Sequence, residues 1–556
     1  MTRRRRHGTT GLIGGLLLLL TAGQALTGPA AAATGPAGPP PPIRTAAPSA
    51  TPPAEFGSDW HDPLTAAPPV PRPAGRSCTV TLAAARFADF TPYRGAYTPP
   101  TACGSRWSTV VLRLEGQVAG RQYDRLGHLS LSGVEILRTS TPQPSPEGIA
   151  WQVEKDVTRY ADTLSRPGPV EMLIGNVVDE VHTGVIDVRV TLTYYAAAPT
   201  GTPAGRPDRA VPERILPVTA GVPVTTPRNT ERVLAEVYAT GSGGGCEEYW
   251  YLAAPTGSPY SCTAPAGPHR EVRVSVDGRL AGIAAPFPTV WTGGWSNPFL
   301  WYVTPGPRAL DVPPVVYDLT PFAALLNDGR PHRIETSVAG VPEGLPGWST
   351  PLNLLLWQDE GRAVLTGGLT RHEERAPAPS SRHTPGTEHR AESAATHRLT
   401  VSGYLDTSRG RVDTTVTRSL TADSVHRWTD GETTDALTAD WTDHETVTSG
   451  RTTTRTERAY SMDGRTVLGA DARLRTVISL GDLARTTVLA PGRAPAVTRL
   501  DHHYAGNATY TTGVPRDQRH AVGTTTERYR LYGPGRCHDR TVTTAQGFVT
   551  EDRRRC

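Results

Sequence analysis

The chain is expected to be all-β, with two tandem jelly-roll β-sandwiches packed side by side and a β-rich C-terminal region after them. Three observations predict this. Apolar and polar residues alternate with a period of two, as in Ile186, Val188, Val190 and Leu192 set between Asp187, Arg189, Thr191 and Thr193. Val272, Val274 and Val276 repeat the pattern before Gly278 turns the chain, and Val110, Leu112 and Leu114 give a third case. One strand–turn phrase also occurs twice in the same order, and no long apolar stripe of helical period competes with it.

The repeated phrase is explicit. Asp156-Val157-Thr158-Arg159-Tyr160 runs to Leu164 and a turn at Pro167-Gly168, while Asp318-Leu319-Thr320-Pro321-Phe322 runs to Leu326 and a turn at Asp328-Gly329. Upstream, Leu129-Ser130-Leu131-Ser132-Gly133 parallels Val274-Ser275-Val276-Asp277-Gly278. The period is too long for a solenoid, so duplication of a whole β-domain is the architecture that fits.

Composition then divides the chain. Residues 1–33 read as a signal peptide: Arg3 to Arg6 are charged, Leu12 to Leu20 apolar, and Ala30 to Ala33 small. That apolar stretch is shorter than the roughly 20 residues that span a bilayer. A secreted, extracellular protein with no membrane span is expected, by a Sec or twin-arginine route. Residues 34–75, rich in Pro and Ala, read as a disordered tether. The first jelly roll is placed at 76–196, a linker at 197–228 and the second jelly roll at 229–366. A second linker follows at 367–396, where Pro377, Pro379 and Pro385 fall, and the β-rich remainder is 397–556.

Six cysteines, an even number, suit an oxidising compartment. Sequence neighbours pair naturally as Cys78–Cys103, Cys246–Cys262 and Cys537–Cys556, with other connectivities open. No Cys-x-x-Cys and no His-Glu-x-x-His occurs, so neither a metal site nor a cofactor is expected. The net charge is only +4 over 556 residues and Lys155 is the sole lysine. Scattered arginines are not the clustered basic face that nucleic acid requires. A monomer is the expected state.

Two short motifs concentrate the chemistry. Gln122-Tyr123-Asp124-Arg125 lies between two strand-like runs, and Cys246-Glu247-Glu248-Tyr249-Trp250-Tyr251 follows three glycines. Each sets a carboxylate beside aromatic and turn residues, the groups that grip a sugar and move a proton.

These residues carry a resemblance to a known family. Gln122 to Arg125, Gly133 to Pro142, Gly148 to Trp151 and Lys155 to Tyr160 resemble the peptide-N4-(N-acetyl-β-glucosaminyl)asparagine amidase A family. Pro286-Phe287-Pro288, Thr292-Gly293-Gly294, Asp318 to Phe322, Leu325 to Gly329 and Asn353 to Trp357 continue it. The resemblance runs from about Cys103 to Asp359 and is weaker beyond. It implies a secreted amidase that hydrolyses the side-chain amide between N-acetylglucosamine and asparagine in N-glycosylated peptides or proteins. The products would be aspartate and a glycosylamine. The bacterial amidase F type, similar in reaction, uses two jelly rolls with the glycan at their interface. Its Trp-Asp-Arg motif resembles Tyr123-Asp124-Arg125, and its Gly-Cys-x-Glu-aromatic pattern fits Gly245 to Tyr249 with the glutamate at Glu248.

By that resemblance, Asp124 and Glu248 are the expected catalytic pair, and Arg125 holds a substrate oxygen through its planar fork. Glu247, Tyr249, Trp250, Trp295 and Trp301 are candidate substrate contacts. Asn176, a further candidate substrate contact, stands where the F type has another functional glutamate. Without the resemblance, Asp124-Arg125 would be a surface ion pair, the tryptophans core packing and Asn176 a satisfied turn amide. A glycan-binding jelly roll without catalysis, or a glycoside hydrolase using the same carboxylates, are the alternative functions.

Overall fold

The computed structural model describes residues 51–197, 211–242, 245–292, 295, 297–342 and 347–556, so the expected signal peptide lies outside the described residues. Strands dominate throughout, as the alternation predicts. The first jelly roll comprises β1 (Ser77–Phe87), β2 (Tyr93–Tyr97), β3 (Trp107–Val118), β4 (Leu126–Leu131), β5 (Val134–Ser140), β6 (Ile149–Asp156), β7 (Gly168–Ile174) and β8 (Ile186–Ala196). They form two four-stranded antiparallel sheets, ordered β1-β8-β3-β6 and β2-β7-β4-β5. In β8, Ile186, Val190, Leu192 and Tyr194 are fully buried while Arg189 is exposed, the predicted in–out alternation.

The second jelly roll runs through β9 (Arg214–Val218), β10 (Thr230–Val237), β11 (Thr240–Gly241), β12 (Ala254–Pro255), β13 (Thr263–Ala264), β14 (Glu271–Val276), β15 (Arg279–Ala284), β16 (Val315–Asp318), β17 (Ile334–Ala339), β18 (Trp348–Ser349) and β19 (Leu352–Gln358). Its sheets are β16-β10-β19-β9 and β15-β14-β17, with short pairs β11-β18 and β12-β13. Read from β9, the first order matches β1-β8-β3-β6 strand for strand. The second matches β7-β4-β5. The counterpart of β2 survives only as a bridge, in which Val224 and His332 exchange N–H···O bonds of 2.8 Å.

The repeated sequence phrases adopt the same local structure. Ser132-Gly133 and Asp277-Gly278 close the β4–β5 and β14–β15 hairpins, with φ of 52° and 81° in one and 47° and 76° in the other. Two consecutive positive φ values make the primed turn that matches strand twist. Asp156 Oδ1 accepts from Thr158 N at 2.9 Å, and Asp318 Oδ1 accepts from Thr320 N at 3.0 Å. Each aspartate thereby starts a 3₁₀ turn leading into a one-turn helix, α1 (Ala161–Leu164) or α2 (Ala323–Leu326).

The C-terminal region forms one 11-stranded antiparallel sheet. It contains β20 (Thr366–Arg375), β21 (Ser380–Thr384), β22 (Glu388–Thr407), β23 (Gly410–Thr429), β24 (Thr434–Ser449), β25 (Thr452–Leu468), β26 (Arg473–Leu489), β27 (Ala496–Thr511), β28 (Val522–Gly533), β29 (Arg536–Ala545) and β30 (Phe548–Arg554). It meanders from β22 to β30, with β20 and β21 both paired to β22. One face lies on the second jelly roll: Trp301 stacks on Tyr504 at 5.1 Å, and Arg308 forks to Asp482 at 2.7 and 2.8 Å. The disulfides are Cys78–Cys103, Cys246–Cys262 and Cys537–Cys556, the neighbour pairing. Among the described residues no helix is long and apolar enough to cross a membrane.

Three expected boundaries are corrected. The tether at 34–75 lies outside the described residues up to 50, but 51–75 is folded against the C-terminal sheet and the first jelly roll. Trp60 is 3 % exposed and stacks on Tyr302 at 4.2 Å. Phe56 N donates to Ala521 O, Ala66 N to Glu527 Oε2 at 2.8 Å, and Ala150 N to Asp62 Oδ1 at 2.8 Å. Proline forbids the strand period there, but it does not forbid an extended strap whose few aromatics are buried. The 197–228 linker contains β9, an edge strand where Pro217 needs no ladder donor. The 367–396 linker is strand, its prolines falling in the gaps on either side of β21.

Truncating Trp60 tests the strap. W60A should lower the stability of the folded chain by about 3–5 kcal/mol, the usual cost of removing a buried indole, read as a drop in the denaturant midpoint. A midpoint within error of the wild type would show that the strap is not part of the core.

Candidate functional site

The duplication places both motifs on the same connection of the jelly roll. Tyr123-Asp124-Arg125 lies between β3 and β4, and Cys246 to Leu252 lies between their counterparts β10 and β14. Side-by-side packing then brings these two loops together. Asp124 and Glu248 are close enough for the Asp124 charge to act on Glu248 and on Tyr249.

In the first loop, a buried amide frame holds the acidic residue. Gln122 Nε2 donates to Val177 O at 2.9 Å and Gly184 O at 3.1 Å, and its Oε1 accepts from Arg125 Nη2 at 2.6 Å. Arg125 Nε donates to Asn176 Oδ1 at 3.2 Å, and Arg125 N to Thr141 Oγ1 at 3.0 Å. Asn176 is fully buried, and its Nδ2 donates to Phe87 O and Gly184 O at 2.9 and 3.1 Å. All of its bonding capacity is thus directed at protein, which corrects the expectation that it touches substrate. It braces Arg125. Burial pulls the Arg125 pKa down while the Asp124 carboxylate opposes that shift, so the pair is electrostatically joined. Tyr123, Val177, Val178 and Val181 stand exposed beside them, with the Tyr123 ring 4.9 Å from that of His182.

The second loop separates two adjacent glutamates. Glu247 is buried, accepting from Arg270 Nη2 at 2.6 Å, Arg270 Nε at 2.8 Å and Trp348 Nε1 at 2.6 Å. Gly241 allows this approach, since a Cβ there would lie 2.3 Å from Glu247 O. Glu247 is therefore a structural ion, not a substrate contact. Its partners lie 23 and 101 residues away in sequence, and nothing in their local pattern marks them.

Glu248 has a different fate. It is half-buried, and its pKa is pushed up to about 7 by desolvation and then by the Asp124 charge, with a hydrogen bond to Tyr249 opposing. Desolvation and a like charge both disfavour the ionised form, leaving Glu248 able to hold a proton near neutrality. Burial and the Glu248 charge also raise the neighbouring Tyr251, whose buried hydroxyl has no hydrogen-bond partner among the described residues.

The tryptophans are core. Trp250 is 3 % exposed and meets Trp441 edge-on at 5.7 Å, and Trp301 is fully buried under Tyr504. Trp295 is buried against β25, where a Cβ at Gly464 would come within 2.1 Å of its ring. None presents a ring face to solvent, because the C-terminal sheet covers that side of the second jelly roll. Tyr249, half-buried beside Glu248, remains at the site. Among the described residues no group of His, Cys, Asp and Glu could hold a metal ion.

The family model and the curated relative agree on one family. The family model described as peptide N-acetyl-beta-D-glucosaminyl asparaginase amidase A matches residues 67–374. Peptide-N4-(N-acetyl-beta-glucosaminyl)asparagine amidase A of Prunus dulcis is 32% identical over 314 residues, which cover 50% of this chain and 54% of that protein. The chain thus spans about half the length of the curated relative it matches. PNGase F, a glycosylasparaginase from Flavobacterium meningosepticum, is 13% identical over 51% of this chain and 96% of its own, with a TM-score of 0.34. PNGF-II is 15% identical over 52% and 66%, with a TM-score of 0.34.

The adjacent glutamates are separable by experiment. E247Q should cost about 3–5 kcal/mol by leaving Arg270 buried and unpaired. Glu248 is protonated in the folded chain between its ordinary 4.5 and about 7, where the unfolded chain has lost the proton. The folded state then binds more protons, so this group makes stability fall as pH rises across that window. E248Q should remove that fall, as measured by denaturant titration at several pH values. An unchanged pH slope would place Glu248 in water.

Proposed function

Because the chain belongs to the peptide N-acetyl-beta-D-glucosaminyl asparaginase amidase A family, we propose that it is a secreted amidase acting on N-glycosylated peptides or proteins. It hydrolyses the amide joining N-acetylglucosamine to the asparagine side chain, releasing a glycosylamine and leaving aspartate. The observation that carries this reading is the shared site of Asp124 and Glu248 on equivalent loops of the two jelly rolls, with Glu248 titrating at about 7.

The two carboxyls suit the two proton movements of amide hydrolysis. Water must lose a proton as it attacks the amide carbon, and the departing nitrogen must gain one. Asp124 is the principal group at the scissile amide. Glu248, as carboxylate, orients the water and takes its proton, and its raised pKa lets the same group return that proton near neutral pH. Arg125, braced by Gln122 and Asn176, keeps positive charge beside Asp124 rather than lending its whole fork to substrate. The exposed Tyr123 ring and the valines beside it supply the non-polar surface for the substrate.

Mass spectrometry of a treated glycopeptide tests the reaction itself. Asparagine converted to aspartate is expected. An unchanged glycopeptide would favour a glycan-binding protein, and N-acetylglucosamine left on asparagine a glycoside hydrolase. D124N should slow turnover by at least roughly 10² with KM little changed. The wild-type rate should rise as pH climbs through about 7, where Glu248 becomes the carboxylate that accepts the proton. That limb should vanish in E248Q, and a D124N enzyme of near-normal turnover would overturn the mechanism.

A further inference from the structure

We propose that the hairpin joining β23 to β24 in the C-terminal sheet is a positioning device for the loop that carries Glu248. The inference rests on the role just proposed for that carboxylate. It assigns work to a region beyond residues 67–374, the part that the family model matches.

The Glu248 loop has little stiffness of its own. Cys246 to Leu252 is 3₁₀ helix interrupted at Tyr249, whose φ of −118° and ψ of 36° are not helical. Such segments are weakly hydrogen-bonded, so partners must set their position. The Cys246–Cys262 disulfide ties the start of the loop to its return, and Ala254 N donates to Cys262 O at 2.9 Å. The hairpin grips that return just before Cys262. Tyr260 OH donates to Asp435 Oδ2 at 2.7 Å, and Trp428 Nε1 donates to Pro259 O at 2.9 Å. Ser261 donates twice to Glu432, from N at 2.6 Å and from Oγ at 2.9 Å.

The grip is itself braced. Asp435 Oδ1 is bonded to His426 Nε2 at 2.7 Å, and the Tyr260 ring meets His426 edge-on at 4.6 Å and Trp428 at 5.1 Å. Glu432 sits at φ 55°, a left-handed conformation that a non-glycine residue keeps only when its surroundings impose it. Both of its carboxylate oxygens are spent on Ser261. On the far side of Glu248, Trp250 packs on Trp441 of the same sheet. The loop is thus held to one rigid sheet on both sides of the carboxylate. Tyr260, Glu432 and Asp435 are positioning residues that act through the disulfide.

The test compares Y260F, which keeps the ring, and E432Q, on the surface hairpin, with the control R475A at an exposed ion pair of β26. Steady-state kinetics on a glycopeptide is paired with the pH dependence of stability, each variant measured with and without E248Q. The difference between the two curves gives the Glu248 titration without using activity. In Y260F and E432Q, kcat should fall roughly ten- to hundredfold, the effect of misplacing a reacting group by about 1 Å, with KM within about twofold. The Glu248 titration should move from about 7 down towards 4.5, because a loosened loop admits water. R475A should change neither. Stability lost with the Glu248 titration unmoved, or kcat unchanged in both variants, would overturn the inference. If the wild-type chain proves to leave glycopeptides intact, the proposed reaction fails on its own. The shift in titration then still decides whether the hairpin positions Glu248.

Discussion

The buried edge of β5 is the constraint on which the site depends. A sheet edge is ordinarily blunted or left to solvent because its unpaired N–H and C=O groups seek partners. Here every residue of β5 is buried, because the second jelly roll supplies those partners. Val312 N donates to Arg138 O at 3.0 Å and Ser140 N to Ala309 O at 3.1 Å. The Asn353 side chain accepts from Glu135 N at 3.3 Å and donates to Glu135 O at 2.8 Å. Arg138 forks onto Glu135 and reaches Thr240 Oγ1 at 2.6 Å, at the root of the connection that leads to Glu248. A second polar seam follows, with Tyr160 OH donating to Glu236 Oε2 at 2.8 Å and Lys155 bonded to Tyr238 and Asp311. Directional bonds of this kind are costly to leave unmade, so the seam admits one register of the two sandwiches. That register brings the two equivalent loops together.

Environment, more than residue type, then decides what each acidic group does. Glu247 and Glu248 are neighbours on one short segment. Glu247 points into protein and is neutralised by a bidentate arginine, a buried pair that fixes geometry. Glu248 meets another carboxylate instead of a cation, and desolvation together with that charge pushes its pKa up to about 7. Arg125 is placed in the opposite sense. The amides of Gln122 and Asn176 share its guanidinium, so its charge is kept beside Asp124. An amide at position 176 thus serves the frame of the site.

The C-terminal sheet looks unlike a core because it buries only one face. Its strands are rich in threonine, and cross-strand hydroxyl pairs such as Thr421–Thr442 at 2.6 Å and Ser402–Thr415 at 2.8 Å satisfy one another. The covering face uses a few large groups and forked arginines. Arg418 pairs with Asp443 at 2.6 and 2.7 Å and donates to Val316 O at 3.1 Å, tying this sheet to the second jelly roll. That cover turns Trp250, Trp295 and Trp301 into core, although their loop positions suggest exposed platforms.

The local sequence determined much of this protein. Period-two alternation set the strands, Ser132-Gly133 and Asp277-Gly278 set the hairpin turns, and the paired Asp-x-Thr phrases set the matching 3₁₀ turns. Each needs only backbone geometry and bonds between near neighbours, so it can be read from a few residues. Resemblance added Asp124 and Glu248. Tertiary structure alone decided that Glu247 is paired with a buried arginine and Glu248 is not, that Asn176 braces Arg125, and that the proline-rich strap is folded. It also decided that tryptophans in turn-like sequence are covered. Those outcomes rest on partners far along the chain, such as Trp348 for Glu247 and Tyr302 for Trp60. Burial and charge depend on what a distant segment places beside a group, and no local pattern encodes that.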